Sequence, residues 1–214
     1  MGALRVNHPD GAPGPTYALP LVGTMLLGRT DGDLTFESDL YMSPLHLELE
    51  GLGYTLRARD VGTLNGTFLR VVTPHPLTGG SVVILGRQVL RVAYRVPEPP
   101  IIDEHGTVYA GCEARAAHWF LERLTHSGGV RDVYALAGTL CVGRSRGDLT
   151  FPDDVFMSGE HARFEPKDDS LQIVDLTSSN GTWVRLTEPH VLENGSQLLV
   201  GRTKLTILLP ELDP

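Results

Sequence analysis

Apolar and polar residues alternate with period two along much of the chain. Leu90, Val92, Tyr94 and Val96 fall on one side of such a pattern, with Arg91, Ala93 and Arg95 between them. Leu171, Ile173 and Asp175 repeat the spacing. Runs of this kind, bounded by Gly, Asn, Asp and Pro, predict short β-strands. Asn65-Gly66, Asn180-Gly181, Gly32-Asp33 and Gly147-Asp148 are turn signals between them. Many short strands with such turns predict an all-β sandwich or barrel. One segment differs. Ala117, Phe120, Leu121 and Leu124 follow the spacing of a helix face, and Gly128-Gly129 lies just beyond. This predicts a short amphipathic helix over Glu113–Thr125.

The pattern occurs twice. Gly23–Val92 aligns with Gly138–Ile207 without a gap. LGRTDGDLTF (27–36) matches VGRSRGDLTF (142–151), and MSPLH (42–46) matches MSGEH (157–161). DVGTLNGTFLR (60–70) matches DLTSSNGTWVR (175–185), and LGRQVLRV (85–92) matches VGRTKLTI (200–207). A repeat this long has the size of a domain rather than of a solenoid unit. The expected organisation is a flexible N-terminus over 1–14, a first domain over 15–97, a linker over 98–130 that carries the helix, and a second domain over 131–210.

Composition changes this picture little. The 214 residues carry a formal net charge of −8, which argues against a nucleic-acid footprint. No apolar run reaches the length of a membrane span, and the polar N-terminus lacks the apolar centre of a signal peptide. Two cysteines, Cys112 and Cys141, make no disulfide framework. The expectation is a cytoplasmic protein with no membrane insertion.

The repeated polar positions are Arg29/Arg144, Ser43/Ser158, His46/His161, Asp60/Asp175 and Asn65/Asn180. Arg with Ser and a turn Asn can form an anion site, because a guanidinium fork matches phosphate oxygens. The bland alternative is a surface Arg, a structural His, and Asp and Asn that bond their own turns. Ser-x-x-His lies in no nucleophile context such as G-x-S-x-G, so no catalytic residue is expected. His105, Cys112, His118 and His126 fit no zinc spacing, and the Gly-rich pieces lack the Lys of a P-loop. No metal or cofactor is expected. His75 and His190 each follow a proline, with no functional account from sequence.

The ordered set Gly-Arg, Ser-x-x-His, Asp, Asn-Gly-Thr and a late Gly resembles the forkhead-associated (FHA) domain, twice in one chain. The second copy reads Gly143-Arg144, Ser158-x-x-His161, Asp175, Asn180-Gly181-Thr182, then Gly195 and Gly201. The first reads Gly28-Arg29, Ser43-x-x-His46, Asp60, Asn65-Gly66-Thr67, then Gly80 and Gly86. The resemblance implies two sandwiches of about eleven strands each that read phosphothreonine. It implies that Arg144 and Ser158 hold the phosphate, with Gly159 and Ser179 adding donors and Asn180 holding the ligand main chain. Arg29, Ser43 and Asn65 are the first-copy counterparts. His46, His161, Gly66 and Gly181 organise the loops. Copy one has Leu64 where copy two has Ser179, and Pro44 where copy two has Gly159. Leu cannot donate to phosphate and Pro has no N–H. The second copy is therefore the expected reader and the first degenerate or accessory. The implied role is a non-enzymatic adaptor in Ser/Thr kinase signalling. Its partner would be a threonine-phosphorylated protein, whether a kinase or its substrate. A phospho-independent scaffold is the alternative.

Overall fold

The alternating segments become strands throughout a computed structural model that describes residues 2–8, 11–96, 98–111, 118–167 and 170–210. Twenty strands and no helix occur among the described residues. The chain divides into two compact units. Unit 1 is Met1–Arg70 with Trp183–Pro214, and unit 2 is Val71–Thr182.

These units are not the sequence repeats. Unit 1 takes β1 (Ala3–Asn7), β2 (Pro13–Ala18), β3 (Val22–Gly28), β4 (Leu34–Thr35), β5 (Leu47–Leu52), β6 (Leu56–Asp60) and β7 (Thr67–Arg70) from the front of the chain. Its remaining strands come from the end: β17 (Thr182–Arg185), β18 (His190–Leu192), β19 (Gln197–Val200) and β20 (Thr203–Leu208). One sheet runs β17-β7-β19-β20-β1-β2 and the other β18-β6-β5-β3-β4. Registers cross the two copies: Leu4 faces Ile207, Leu69 faces Leu198, and Leu56 faces Leu192. The core follows suit. Leu4, Leu27, Met42, Leu47 and Leu49 pack in one cluster with Leu192, Leu198, Val200, Leu205 and Ile207.

Unit 2 is built in the mirror sense. The first copy supplies β8 (His75–Leu77), β9 (Val82–Leu85) and β10 (Gln88–Tyr94). The later part supplies β11 (Trp119–Leu124), β12 (Val130–Leu136), β13 (Leu140–Gly143), β14 (Leu149–Thr150), β15 (Ala162–Lys167) and β16 (Ser170–Asp175). Its sheets are β12-β11-β10-β9 and β14-β13-β15-β16-β8. Leu77 faces Leu171 and Val92 faces Leu121, all four buried.

The expected boundaries at 15–97 and 131–210 are therefore corrected: each copy donates its C-terminal strands to the unit that holds the N-terminal strands of the other. Val71-Val72-Thr73-Pro74 follows β7 and Leu186-Thr187-Glu188-Pro189 follows β17. Both run onward to His75 and His190, the two histidines after proline, which open β8 and β18.

Two further expectations change. The flexible N-terminus over 1–14 contains β1 and the start of β2, and Leu4 is fully buried. The helix expected over Glu113–Thr125 is not formed in its C-terminal part, where Trp119–Leu124 is β11; residues 112–117 lie outside the described residues. The helical spacing was ambiguous because both faces of β11 are covered. Trp119 and Leu121 point into the core, while Phe120 lies beneath the Arg95 guanidinium at 5.0 Å. Glu122, only 6% exposed, accepts from Arg91 and Arg95 at 2.6 and 2.7 Å. The bonds from Arg91 and then Arg95 hold its carboxyl below the usual glutamate range, against the opposing effect of burial.

Candidate functional site

In unit 2 the predicted residues meet at one end of the sheets, on the loops after β13, β14 and β16. The Arg144 backbone N–H donates to Ser158 O at 2.8 Å, which ties the Gly-Arg turn to the Ser-x-x-His loop. Gly143 allows this approach, because a Cβ there would stand 2.2 Å from Gly159 O. Ser158 N–H donates to His161 Nδ1 at 3.0 Å. Nδ1 accepts, so Nε2 carries the proton and donates to Gly181 O at 3.2 Å. The buried His161 thus joins the Ser loop to the Asn-Gly turn. Asp175 braces that turn by accepting from Ser178 Oγ and Thr182 Oγ1, both at 2.6 Å.

Ser158 and Arg144 keep donors for solvent. The Ser179 backbone N–H donates to Ser158 Oγ at 3.0 Å, so that hydroxyl accepts within the site and keeps its own O–H to give. Asn180 Nδ2 donates to Phe156 O at 2.8 Å. Arg144 is exposed, and among the described residues its guanidinium makes no hydrogen bond or ion pair. Gly159 is half-buried beside Arg146, whose Nη2 lies 3.9 Å from Glu160 Oε2. Such a cluster can hold a dianion with charge-assisted bonds, which are about twice as strong as neutral ones.

Unit 1 repeats the frame. Ser43 N–H donates to His46 Nδ1 at 2.9 Å, and His46 Nε2 lies 3.2 Å from both Gly66 O and Thr63 Oγ1. Asn65 Nδ2 donates to Tyr41 O at 2.8 Å. Asp60 accepts from Thr63 and Thr67; burial acts to raise its pKa, but these bonds outweigh it and hold the carboxyl below the ordinary range. The recognition face differs. Arg29 Nε is turned inward to Met42 O at 3.2 Å. Leu64 projects outward, 89% exposed, rather than filling the site.

Three features of these sites escaped the reading of the sequence. Arg146 adds a second cation in unit 2, where the aligned position of unit 1 is Asp31; the aligned segments already held that signal. Thr177 adopts φ 58° in the Asn-Gly loop of unit 2, where unit 1 has Gly62. A β-branched residue there costs about 1–2 kcal/mol, strain of the kind that gathers at binding loops. The third is Asp39 and Asp154, both buried, which anchor the loops leading to Ser43 and Ser158. Asp154 accepts from Gln88 Nε2 at 2.7 Å and from the Arg87 and Phe156 N–H groups at 2.8 and 3.1 Å. Asp39 accepts from Thr203 Oγ1 and the Arg202 N–H, both at 2.8 Å. Each anchor therefore grips a turn from the opposite sequence copy. Gly86 and Gly201 occupy those turns at φ 58° and 62°, and a Cβ would reach 2.8 and 2.7 Å from the two carboxylates.

Burial disfavours the imidazolium and holds both His46 and His161 below the ordinary histidine value. The unfolded chain then takes up these protons before the folded one. Stability contributed by each neutral ring is complete above the unfolded value near 6.5 and falls as pH drops below it, by up to about 1.4 kcal/mol per pH unit and ring. Urea midpoints are expected to be level from pH 8 to 7 and to decline toward pH 5. A flat profile down to pH 5 would contradict the neutral assignment.

Among the described residues no cluster of His, Cys, Asp or Glu could hold a metal, and no helix is long and apolar enough to cross a membrane. Comparison with known proteins adds the following. The chain is 38% identical over 73 residues to an oxoglutarate dehydrogenase inhibitor of Corynebacterium jeikeium, covering 33% of this chain and 50% of the relative. It is 36% identical over 72 residues to the glycogen accumulation regulator GarA of Mycolicibacterium smegmatis, covering 33% and 46%. The chain thus spans about half the length of the curated relatives it matches. Among solved structures, an FhaA FHA domain complexed with the intracellular domain of Rv3910 aligns over 97% of this chain and 99% of its own at 12% identity, with a TM-score of 0.36. The FHA domain of the CT664 protein from Chlamydia trachomatis aligns over 38% and 88% at 22% identity, with a TM-score of 0.23. Residues 140–201 match the family model of the FHA domain, a window that begins in unit 2 and ends in unit 1.

Proposed function

We propose that the chain is a phosphothreonine-dependent binding adaptor in Ser/Thr kinase signalling, and that unit 2 holds the stronger site. The observation that carries this reading is the Ser158 hydroxyl, which accepts from Ser179 N–H and keeps a proton to donate beside the unpaired Arg144. A phosphate offers three acceptor oxygens and close to two charges to such a cluster. Gly159 keeps an N–H, Arg146 adds charge, and Asn180 stands on the turn where an extended peptide would lie. The partner is a threonine-phosphorylated protein, a kinase or its substrate. The tandem assignment belongs to the same proposal, with unit 1 as the second FHA-like site. The relatives' names, an inhibitor and a regulator, support action through binding rather than turnover.

For unit 1 the exposed Leu64, the inward-turned Arg29 and Pro44 favour a second reading, a scaffold contact that needs no phosphate. The test is fluorescence anisotropy of the whole chain with degenerate peptide pools. A pool with fixed phosphothreonine is expected to bind and its unphosphorylated counterpart to bind at least tenfold more weakly, the scale of one lost charge-assisted bond at about 1.5–3 kcal/mol. The phosphoserine pool, which keeps the phosphate and lacks only the methyl group, is expected to bind about fourfold more weakly, the scale of one buried methyl. Equal binding of all three pools would transfer the scaffold reading to the whole protein.

A further inference from the structure

We propose that Arg87 in unit 2 and Arg202 in unit 1 form an additional subsite in each unit, which takes an anionic side chain of the bound phosphopeptide and is supplied to each site by the opposite sequence copy. This rests on the phosphopeptide reading above. The two arginines follow Gly86 and Gly201 and do not belong to the motif that carries the family resemblance.

Their placement is fixed at both ends. The backbone N–H of Arg87 is held by the carboxylate of Asp154, which is 3% exposed, and that of Arg202 by Asp39. The guanidinium of Arg87 lies over the Phe156 ring at 4.5 Å, and that of Arg202 over the Tyr41 ring at 3.9 Å. These are the residues whose backbone carbonyls accept from Asn180 and Asn65. Each stacked cation therefore stands on the segment that the peptide-holding Asn grips, in both units independently.

A guanidinium stacked by its face on an aromatic ring keeps its N–H edge for an in-plane partner, and the natural partner is a carboxylate or phosphate. Neither arginine has one: among the described residues no carboxylate lies within ion-pair distance of the Arg87 or Arg202 guanidinium. Two of the three acids that line a cleft beside Arg87 are committed elsewhere. Asp154 accepts from Gln88 and two backbone N–H groups, and Asp132 pairs with Arg123 at 3.3 Å and Arg131 at 3.7 Å. In unit 2 there is also room, because Arg87 lines that cleft, of about 430 Å³, together with Arg123, Arg131, Asp132, Asp153 and Asp154. The chemistry sought is an anionic residue near the phosphothreonine, either Asp/Glu or a second phosphorylated side chain.

The test uses the full chain and three phosphothreonine peptide series: neutral flanks, one Glu scanned through the flanks, and one phosphoserine scanned likewise. At one position the charged peptides are expected to bind about fivefold better than the neutral one, the scale of a partly exposed ion pair. In the Arg87→Met, Arg202→Met double variant the charged-to-neutral ratio should fall to about one, with Arg→Lys at both positions retaining part of it because the charge stays and the planar stack is lost. Thermal unfolding of each variant separates a misfolded protein from a lost contact. Which series gains in the wild type distinguishes a carboxylate from a second phosphate. A wild type that binds phosphothreonine without preferring either charged series, or a preference untouched in a folded double variant, overturns this proposal alone. A wild type that binds no phosphothreonine peptide overturns the functional reading on which it rests.

Discussion

A chain cut once at the exposed Glu104–His105 turn is expected to elute as one particle of the uncut mass, and its two fragments to separate only in denaturant. The physical ground is the crossed pairing. The first fragment carries β1–β7 of unit 1 and β8–β10 of unit 2; the second carries β11–β16 of unit 2 and β17–β20 of unit 1. Leu198, Val200, Leu205 and Ile207 are fully buried in a cluster that also holds Leu4, Leu27, Leu47 and Leu49 from the other fragment. Each such side chain contributes about 1.5–3 kcal/mol when removed from water. Whole strand ladders, β1 with β20 and β16 with β8, also join the pieces. The cut removes no paired strand, because residues 98–111 carry only an isolated bridge between Ile102 and Val108. If each copy folded by itself, the fragments would instead elute as two species of about half the size. A point substitution reads the same exchange. Leu198→Ala lies in the second copy, yet it should destabilise unit 1, which carries Arg29, by about 2–5 kcal/mol. Hydrogen exchange should show the loss at Leu47–Leu52 rather than at Ala162–Lys167.

Arg144→Ala is expected to weaken phosphothreonine-peptide binding by about a hundredfold or more, since a bidentate contact with phosphate removes two charge-assisted bonds of about 1.5–3 kcal/mol each. Arg29→Ala should change it by less than about threefold, within the range of an exposed polar contact. The asymmetry follows from the two faces. Arg144 is exposed and uncommitted in a unit that also offers Ser179 and Arg146, whereas Arg29 already donates to Met42 O in a unit that has Leu64 and Asp31 at those positions. Anisotropy titrations of the two variants with one peptide decide the matter. Loss with Arg29→Ala alone would reverse the assignment of the stronger site.

Much of the candidate site was legible in the sequence because its parts are local. Ser158 and His161 meet within one loop, and Asn180-Gly181 forms one turn, so their spacing carries their geometry. The same holds for strand character, since alternation and turn residues act over a few positions. Trp119–Leu124 misled because a strand covered on both faces breaks its own alternation. Arg146 stood in the aligned segments, but its importance depends on the Gly159 backbone beside it. Asp154 and Asp39 look like loop acids until the turns at Gly86 and Gly201 are seen to close on them.

Alternation, turn residues and the internal repeat already establish a β-rich, duplicated protein with two similar polar constellations. Which strands complete which unit is seen in the folded chain alone. The two copies offer nearly the same apolar alternation at the same register, so β19 could face Leu69 or its counterpart Val184 with similar chemistry. Sequence pattern cannot choose between partners so alike. The chain changes unit at Arg70/Val71 and again at Thr182/Trp183, and the strands that follow each crossing pair within the unit so entered.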